Sequence, residues 1–418
     1  MKMSKLAIRT SKTRGMEETI SQEILFQSGL IKRHSAGLYS MGHLLVKAQN
    51  KMEALLRDKL TEAECAEFSF STLQPEQLWK ESGRWDLYKE SRQMFTLSDR
   101  KGNAYCLGPT HEEVVVDYLR NILVSYKNLP VNVFQISKKY RDEIRTRGGL
   151  MRSKEFLMAD GYSFHANAED MMEEYLKMKN VYMAFFAELG LLALPVKAAN
   201  AEMGGRVSEE FMVICDVGEN KLLYDKVYNM GLNAELLENP HMMEDLRGNY
   251  PELVFEKLEK KPCVEVGHIF QLGTHYSEKM CAYFTDVVGK KVPYFMGCYG
   301  IGLSRSLATC LELNCDKDGL NWPEKIAPYL AVIVSVEERE EEALRVYELL
   351  RKNRVEVLLE DRPLRFAEKL KDARLLGIPY LLILGKNGMR GKVELEKRKN
   401  GKKIEMDVES IIRYLRGY

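Results

Sequence analysis

YRDEIRTRGGLMRSKEFLMADGYSFH, residues 140–165, is the stretch whose reading decides the fold. Residues 131–137 (VNVFQIS) lead into it with strand-forming side chains. If that strand runs on, Arg141, Glu143 and Arg145 share one face, because side chains alternate along a strand. A loop holding Arg147, Gly148, Gly149 and Arg152 follows, and residues 156–164 suit a returning strand. The expected product is a hairpin presenting guanidiniums, a carboxylate and an aromatic ring. Arginine forks bind phosphate oxygens bidentately, a carboxylate accepts from an adenine amino group, and a ring stacks on a base. A charged hairpin with solvent-facing ion pairs accounts for the same residues, so the rest of the chain decides.

With 418 residues the chain is long enough for more than one domain and a large core. Its 45% apolar and 29% charged content is that of a globular protein. A formal net charge of +1 gives no global pull toward nucleic acid, so an RNA site must be local. No apolar run reaches the ~20 residues of a membrane span, and the basic start, MKMSKLAIRTSKTRG, lacks a signal-peptide core. Eight cysteines without a CxxC pair fit reduced thiols in cytosol. Seven histidines without HxxxH spacing argue against structural zinc.

Helical spacing predicts helices over residues 16–28, 41–60 and 168–189, with Gly29 stopping the first. Thr110 and Glu113 form a capping-box pattern before VVVDYL, which leaves Glu112 unexplained. Residues 293–313 read strand, turn, helix (YFMGCYG, then IGLSRSLATCLEL); the glycines permit close backbone approach, and Arg305 on the helix can reach a phosphate. Prolines at 323 and 328 mark a boundary. Beyond it, strands 329–335, 355–359 and 380–385 alternate with helices 337–352 and 366–376. A hairpin turning at Asn400-Gly401 and a helix 407–416 complete a small mixed-sheet domain.

Residues 140–143 (YRDE), with Arg152 and Phe156 following, resemble motif 2 of the class II aminoacyl-tRNA synthetases. Residues 107–113 (LGPTHEE), 267–273 (GHIFQLG) and 296–302 (MGCYGIG) resemble prolyl-tRNA synthetase of the bacterial type, and the likeness runs from about residue 6 to the end of the chain. It implies an α+β fold: a class II antiparallel-sheet catalytic domain (1–325) and a C-terminal α/β anticodon-binding domain (326–418). It implies the helix 41–60 and a strand 68–73 as a dimer-building motif 1, in which Ser71 replaces the usual proline. It also implies ligation of L-proline to tRNA(Pro) through prolyl-adenylate, with ATP and Mg2+, by a cytoplasmic homodimer with no membrane or DNA partner.

The resemblance assigns residues as well. Arg141 and Arg305 are the catalytic charges. Arg141, Glu143, Arg152, Phe156, Glu265 and Arg305 bind ATP, Glu265 near the metal. Thr110, Glu112, Arg141, Met158, His268, Phe270 and Cys298 bind proline, Met158 and Cys298 as apolar walls. Arg362, Asp372 and Arg374 fall where the family reads the anticodon, Arg374 replacing a usual glutamate. Arg206, Val207 and Glu209 add bulk and charge to a segment that borders the substrate pocket in the family. Residues 235–264 stand where many relatives insert a large editing domain and are too few for one. Residues 74–85 (QPEQLWKESGRW) also match the family, with no chemistry evident from the residues. Two rivals are a synthetase-like paralogue serving a non-tRNA acceptor or regulation, and an RNA-binding protein that lost catalysis. Intact Arg141, Glu143, Phe156 and Arg305 argue against the second.

Overall fold

The computed structural model describes residues 1–11, 13, 15–198, 207–227, 229–234, 258–386, 388–389 and 391–417. The chain divides into two compact units, Glu53–Ser306 and Met1–Met52 with Leu307–Tyr418. Arg206 and most of the segment expected to lack an editing domain lie outside the described residues.

In the Glu53–Ser306 unit nine of the described strands form one sheet. In chain order they are β1 (Ala66–Glu67), β2 (Val131–Tyr140), β3 (Glu155–His165), β4 (Ala193–Lys197), β5 (Val207–Ile214), β6 (Asn220–Asp225), β7 (Met230–Asn233), β8 (Glu259–Gly273) and β9 (Phe295–Gly302). The main path runs β7-β6-β8-β9-β3-β2-β1, with β5 pairing β8 and β4. Only β1 joins its neighbour in parallel. Val115, Val116 and Leu119 of α1 (Glu112–Leu119) pack on Val133, Tyr162, Phe164 and Met296 on one face. On the other, Tyr182 and Phe186 of α2 (Ala168–Glu188) meet Phe211 at 5.7 and 5.6 Å. Each such buried side chain contributes roughly 1.5–3 kcal/mol. α2 starts where the Asn167 side chain accepts from the Asp170 amide at 2.8 Å, with Glu169 and Asp170 in its first turn.

Two sequence expectations fail here for local reasons. β2 ends at Tyr140, so Arg141, Glu143 and Arg145 do not extend its face; the chain closes into a loop through paired backbone bonds between Arg147 and Arg152. The expected strand 68–73 is absent from that place. Phe68 still donates to the Phe134 carbonyl at 2.8 Å, but the Phe70 amide donates to the Gln135 side chain at 3.1 Å. A side chain has taken the place of the backbone partner, and the ladder stops.

In the other unit, strands β10 (Ala331–Ser335), β11 (Val357–Leu359), β12 (Tyr380–Leu384), β13 (Lys392–Lys397) and β14 (Lys403–Asp407) order as β11-β10-β12-β13-β14. The first two pairings are parallel and the last two antiparallel. Helix α3 (Leu303–Asn314) precedes this sheet in the chain. Ala343, Val346 and Leu350 of α4 (Glu340–Lys352) share a core with Ile411 and Leu415 of α6 (Val408–Arg416). Between them in sequence, α5 (Phe366–Leu376) ends at Gly377, whose φ of +72° and approach to the Leu320 carbonyl admit no side chain. The N-terminal residues belong to this unit because Lys2 bridges Leu359 and Ser4 Oγ donates to Asp361 at 2.7 Å. The division by packing thus differs from the boundary expected at residue 325.

Candidate active site

Strand parity builds a cavity in the Glu53–Ser306 unit. On β3, Phe156, Met158, Asp160 and Tyr162 fall on one face. On β9, Gly302, Gly300 and Cys298 lie opposite Met158, Asp160 and Tyr162, and on β8 His268 and Phe270 lie opposite Gly300 and Cys298. The His268 and Phe270 rings stack at 3.8 Å. Thr110 and Glu112 enter from the start of α1, Arg141, Glu143 and Arg152 from the β2–β3 loop, and Glu265 and Arg305 from β8 and α3. The cavity measures about 490 Å³, and every residue expected to touch ATP or proline lines it.

The glycines of β9 divide by purpose. A Cβ at Gly297 would stand 2.2 Å from the Tyr299 hydroxyl, so packing demands glycine there. At Gly300 the nearest atom would be the His268 carbonyl at 3.6 Å, an ordinary contact. A side chain at 300 would intrude on the cavity rather than on the fold.

At the deep end Glu112 and Glu113 are fully buried. The Thr110 hydroxyl donates to Glu112 Oε2 at 2.5 Å and the Cys298 thiol to Oε1 at 3.4 Å. Cys298 is therefore a donor as well as a wall; burial and then the neighbouring Glu112 push its thiol far up. Ser82 donates to Glu113 at 2.8 Å. The expected capping box does not form: the cap of α1 is His111, without a side-chain bond. Thr110 and both glutamates have partners across the pocket floor instead. Burial raises the Glu113 carboxyl, Arg84 opposes this, and Glu112 adds to it.

Behind this floor Lys139 and Asp160, both buried, pair at 2.6 Å. Gln135 and Tyr162 donate to Asp160 at 3.0 and 2.8 Å. His111 is held down to about 4 by burial and then by Lys139, and so is neutral near pH 7.

At the outer end Arg152 donates through Nε to Glu143 and through Nη1 to Glu219, at 2.8 and 2.6 Å. Among the described residues Arg141 makes two long bonds, both 3.4 Å, to the Pro109 carbonyl. Its guanidinium lies 5.4 Å from the Phe156 ring. Arg305 donates to the Met151 and Glu265 carbonyls at 3.0 and 2.9 Å. Burial pushes Glu265 up, but the His268 hydrogen bond and then the Arg305 charge outweigh it and hold the carboxyl at about 2.

Glu210, which the sequence reading passed over, joins Glu265 and His268 with ligand atoms within 4.8 Å of one another. Its neighbour Glu209 faces away, accepting from Tyr175 at 2.9 Å and Lys179 at 2.7 Å. The extra charge expected at the pocket from Glu209 is thus spent on α2. Arg145 is exposed and outside the cavity. In the other unit Arg362 donates to Asp372 at 2.8 Å and also pairs with Glu360, and Thr10 donates to Asp372 at 3.0 Å. Arg374 forms a two-pronged bond to Glu396, at 3.0 and 2.8 Å.

An antiparallel sheet bearing this arginine-lined pocket, followed by a separate mixed-sheet domain, defines a class II aminoacyl-tRNA synthetase. Residues 95–314 match the tRNA synthetase class II core domain (G, H, P, S and T), and residues 330–418 match an anticodon binding domain. The chain belongs to the proline–tRNA ligase family. It is 37% identical over 399 residues to the proline–tRNA ligase of Rickettsia bellii, covering 93% of this chain and 92% of that one. It is likewise 37% identical over 427 residues to that of Sulfurimonas denitrificans, covering 98% of each. The fold matches a crystal structure of prolyl-tRNA synthetase from Cryptosporidium parvum complexed with halofuginone and AMPPNP. That match has a TM-score of 0.78 at 16% identity and covers 96% of this chain and 78% of that one. No helix among the described residues is long and apolar enough to cross a membrane.

Proposed function

We propose that the cavity activates L-proline with ATP and that the chain then transfers the prolyl group to tRNA(Pro). One observation carries this reading: a buried carboxylate, Glu112, closes one end of a cavity whose other end is lined by Arg141, Arg152 and Arg305. The floor suits a secondary ammonium, with Glu112 and the Thr110 oxygen as acceptors. Met158, Phe270 and the Cys298 sulfur surround the ring, and His268 stands beside them. Arg141, whose present bonds are weak, holds the proline carboxylate and the α-phosphate. The carboxylate oxygen attacks the α-phosphorus in line and pyrophosphate leaves, which needs positioning and charge stabilisation more than a base. Arg152 and Arg305 neutralise the outer phosphates, Glu143 accepts from the adenine amino group and Phe156 stacks on the base. The carboxylate oxygens of Glu265 and Glu210 are donors of the type Mg2+ takes, and the ion would add charge neutralisation on the phosphates. A terminal hydroxyl of the tRNA then attacks the acyl carbon and AMP leaves.

Arg362, Asp372 and Arg374 belong to the anticodon-reading surface in this proposal, and the functional division lies near residue 325. The protein is a cytoplasmic homodimer. Support for the dimer comes from exposed Tyr118, Ile122 and Val124, Tyr118 packing edge-on against Phe68 and Phe70 at 5.7 and 5.8 Å. The stretch 235–264 is too short for the large editing insertion, so alanyl-tRNA is not cleared by such a domain in cis. The test is ATP–pyrophosphate exchange with each amino acid, followed by charging of tRNA(Pro). Proline should support both steps; exchange without charging would select the paralogue reading.

A further inference from the structure

We propose that Arg84 is a positioning residue that holds the Glu112 carboxylate aimed at the ammonium of the bound amino acid, from beneath a pocket it does not line. The inference rests on the reading of Glu112 as the ammonium acceptor. Arg84 is 4% exposed, and its Nη1 lies 3.3 Å from Glu112 Oε2 and 3.1 Å from Glu113 Oε1. Thr110 binds the same Glu112 oxygen, and the Cys298 thiol takes the other. A carboxylate buried in a pocket floor needs a partner that fixes its direction; the Arg84 fork supplies one from below.

The stretch QPEQLWKESGRW finds its chemistry here. The short helix Glu76–Ser82 ends at Gly83, whose φ of +78° turns Arg84 inward. The guanidinium lies 5.0, 4.5 and 5.5 Å from the rings of Trp79, Tyr88 and Tyr276, and Tyr88 accepts a hydrogen bond from it. These faces favour a cation and fix the fork. Burial works against the guanidinium's charge, and Glu113, the flanking tyrosines and Glu112 more than offset it. Trp79 also donates to Gln74 at 2.6 Å, and Gln74 donates to the Thr110 carbonyl at 2.9 Å. One brace therefore supports both proline-facing acceptors, Thr110 through Gln74 and Glu112 through Arg84.

The test compares the full-length wild type, Arg84→Met and Arg84→Lys in ATP–pyrophosphate exchange, with thermal melts of each. Wild type that fails to exchange with proline overturns the proposed function itself, and the inference with it. With wild type active, Arg84→Met should raise KM for proline about tenfold or more while kcat and KM for ATP stay within about threefold. Arg84→Lys, which keeps the charge but loses the fork, should recover part of the affinity for proline. An unchanged proline KM overturns the proposal. So does a parallel loss for proline and ATP, the mark of a general scaffold residue. Should Arg84→Met prove unfolded, Arg84→Lys decides alone: a rise in KM confined to proline supports positioning, and any other result overturns it.

Discussion

Arg141 and Arg374 are both arginines that the sequence marks for contact with nucleotides, and the molecule treats them differently. Arg141 reaches into the cavity and, among the described residues, makes two 3.4 Å bonds to one carbonyl. Arg374 is forked onto Glu396 by bonds of 3.0 and 2.8 Å, and Glu396 is itself 4% exposed. A donor with weak partners gains nearly the whole of a new charge-assisted bond when a ligand arrives. A donor already paired gains only the difference. In the proposed function the pocket thus keeps a weakly bonded donor, Arg141, where the phosphate would arrive, while Arg84 and Lys139 are already engaged in the floor below it. The anticodon-type domain presents charges that have already been spent.

The largest expected effect tests whether that floor is a rigid base. Lys139 and Asp160 are both buried, so Lys139→Met leaves an unpaired carboxylate inside the sheet. Breaking such a pair costs about 3–5 kcal/mol, to be measured by denaturant unfolding. Loss of the exposed side of the Arg374–Glu396 pair should cost distinctly less. If the two losses are equal, the contrast between the regions fails.

Arg141→Ala comes next. It should remove about 3 kcal/mol or more of transition-state stabilisation, the scale of one preorganised donor, read as kcat/KM in proline-dependent exchange. Unchanged exchange would mean that Arg141 is not the charge that meets the α-phosphate.

Glu265 supplies the pH test. Its carboxyl is lowered from 4.5 to about 2, so the native state holds its proton less tightly than the unfolded chain. The associated stability is present above about pH 4.5 and is lost as pH falls through about 2. It should be on the order of 2–3 kcal/mol. Glu265→Gln should remove this part of the acid-induced loss and leave the profile above pH 5, by rough estimate, unaltered. A variant with the same acid profile as wild type would place the depressed carboxyl elsewhere.

How much of this the sequence disclosed depends on the distance over which the cause acts. The residues lining the pocket were expected from the resemblance of their motifs, and strand parity on β3 is the physical reason that Phe156 and Met158 share a face with Asp160 and Tyr162. The mixed sheet of the C-terminal region followed from apolar strands alternating with helices, and α5 spans the residues expected of it, 366–376. What escaped were partners far away in sequence. Thr110 and Glu113 carry a valid capping pattern, yet Ser82 and Arg84, from a distant stretch, take Glu113, and Thr110 turns to its near neighbour Glu112. Glu209 and Glu210 differ by one position, and strand parity sends the first to α2 and the second to His268. The ladder beyond Glu67 gives way to the Gln135 side chain, which no local pattern announces.

The smallest expected effect concerns Arg374, and it asks whether a spent charge can still read a base. Its side chain keeps 38% of its surface while Nε and Nη2 serve Glu396. The remaining edge of the guanidinium can still donate to guanine O6 and N7, though with one nitrogen shared the gain should fall at the low end of the ~1–3 kcal/mol range. Arg374→Ala alone cannot separate reading from packing, because it also strips Glu396 of its partner and leaves Lys403, 3.5 Å away, as the nearest cation. The double variant Arg374→Ala/Glu396→Gln removes both charges and restores a balanced domain. If Arg374 reads the anticodon, both variants should lose about 1 kcal/mol of discrimination against altered anticodons, with ATP–pyrophosphate exchange unchanged in both. If discrimination returns in the double variant, Arg374 only neutralises Glu396, and the substitution of arginine for the family's glutamate is a charge swap within the fold.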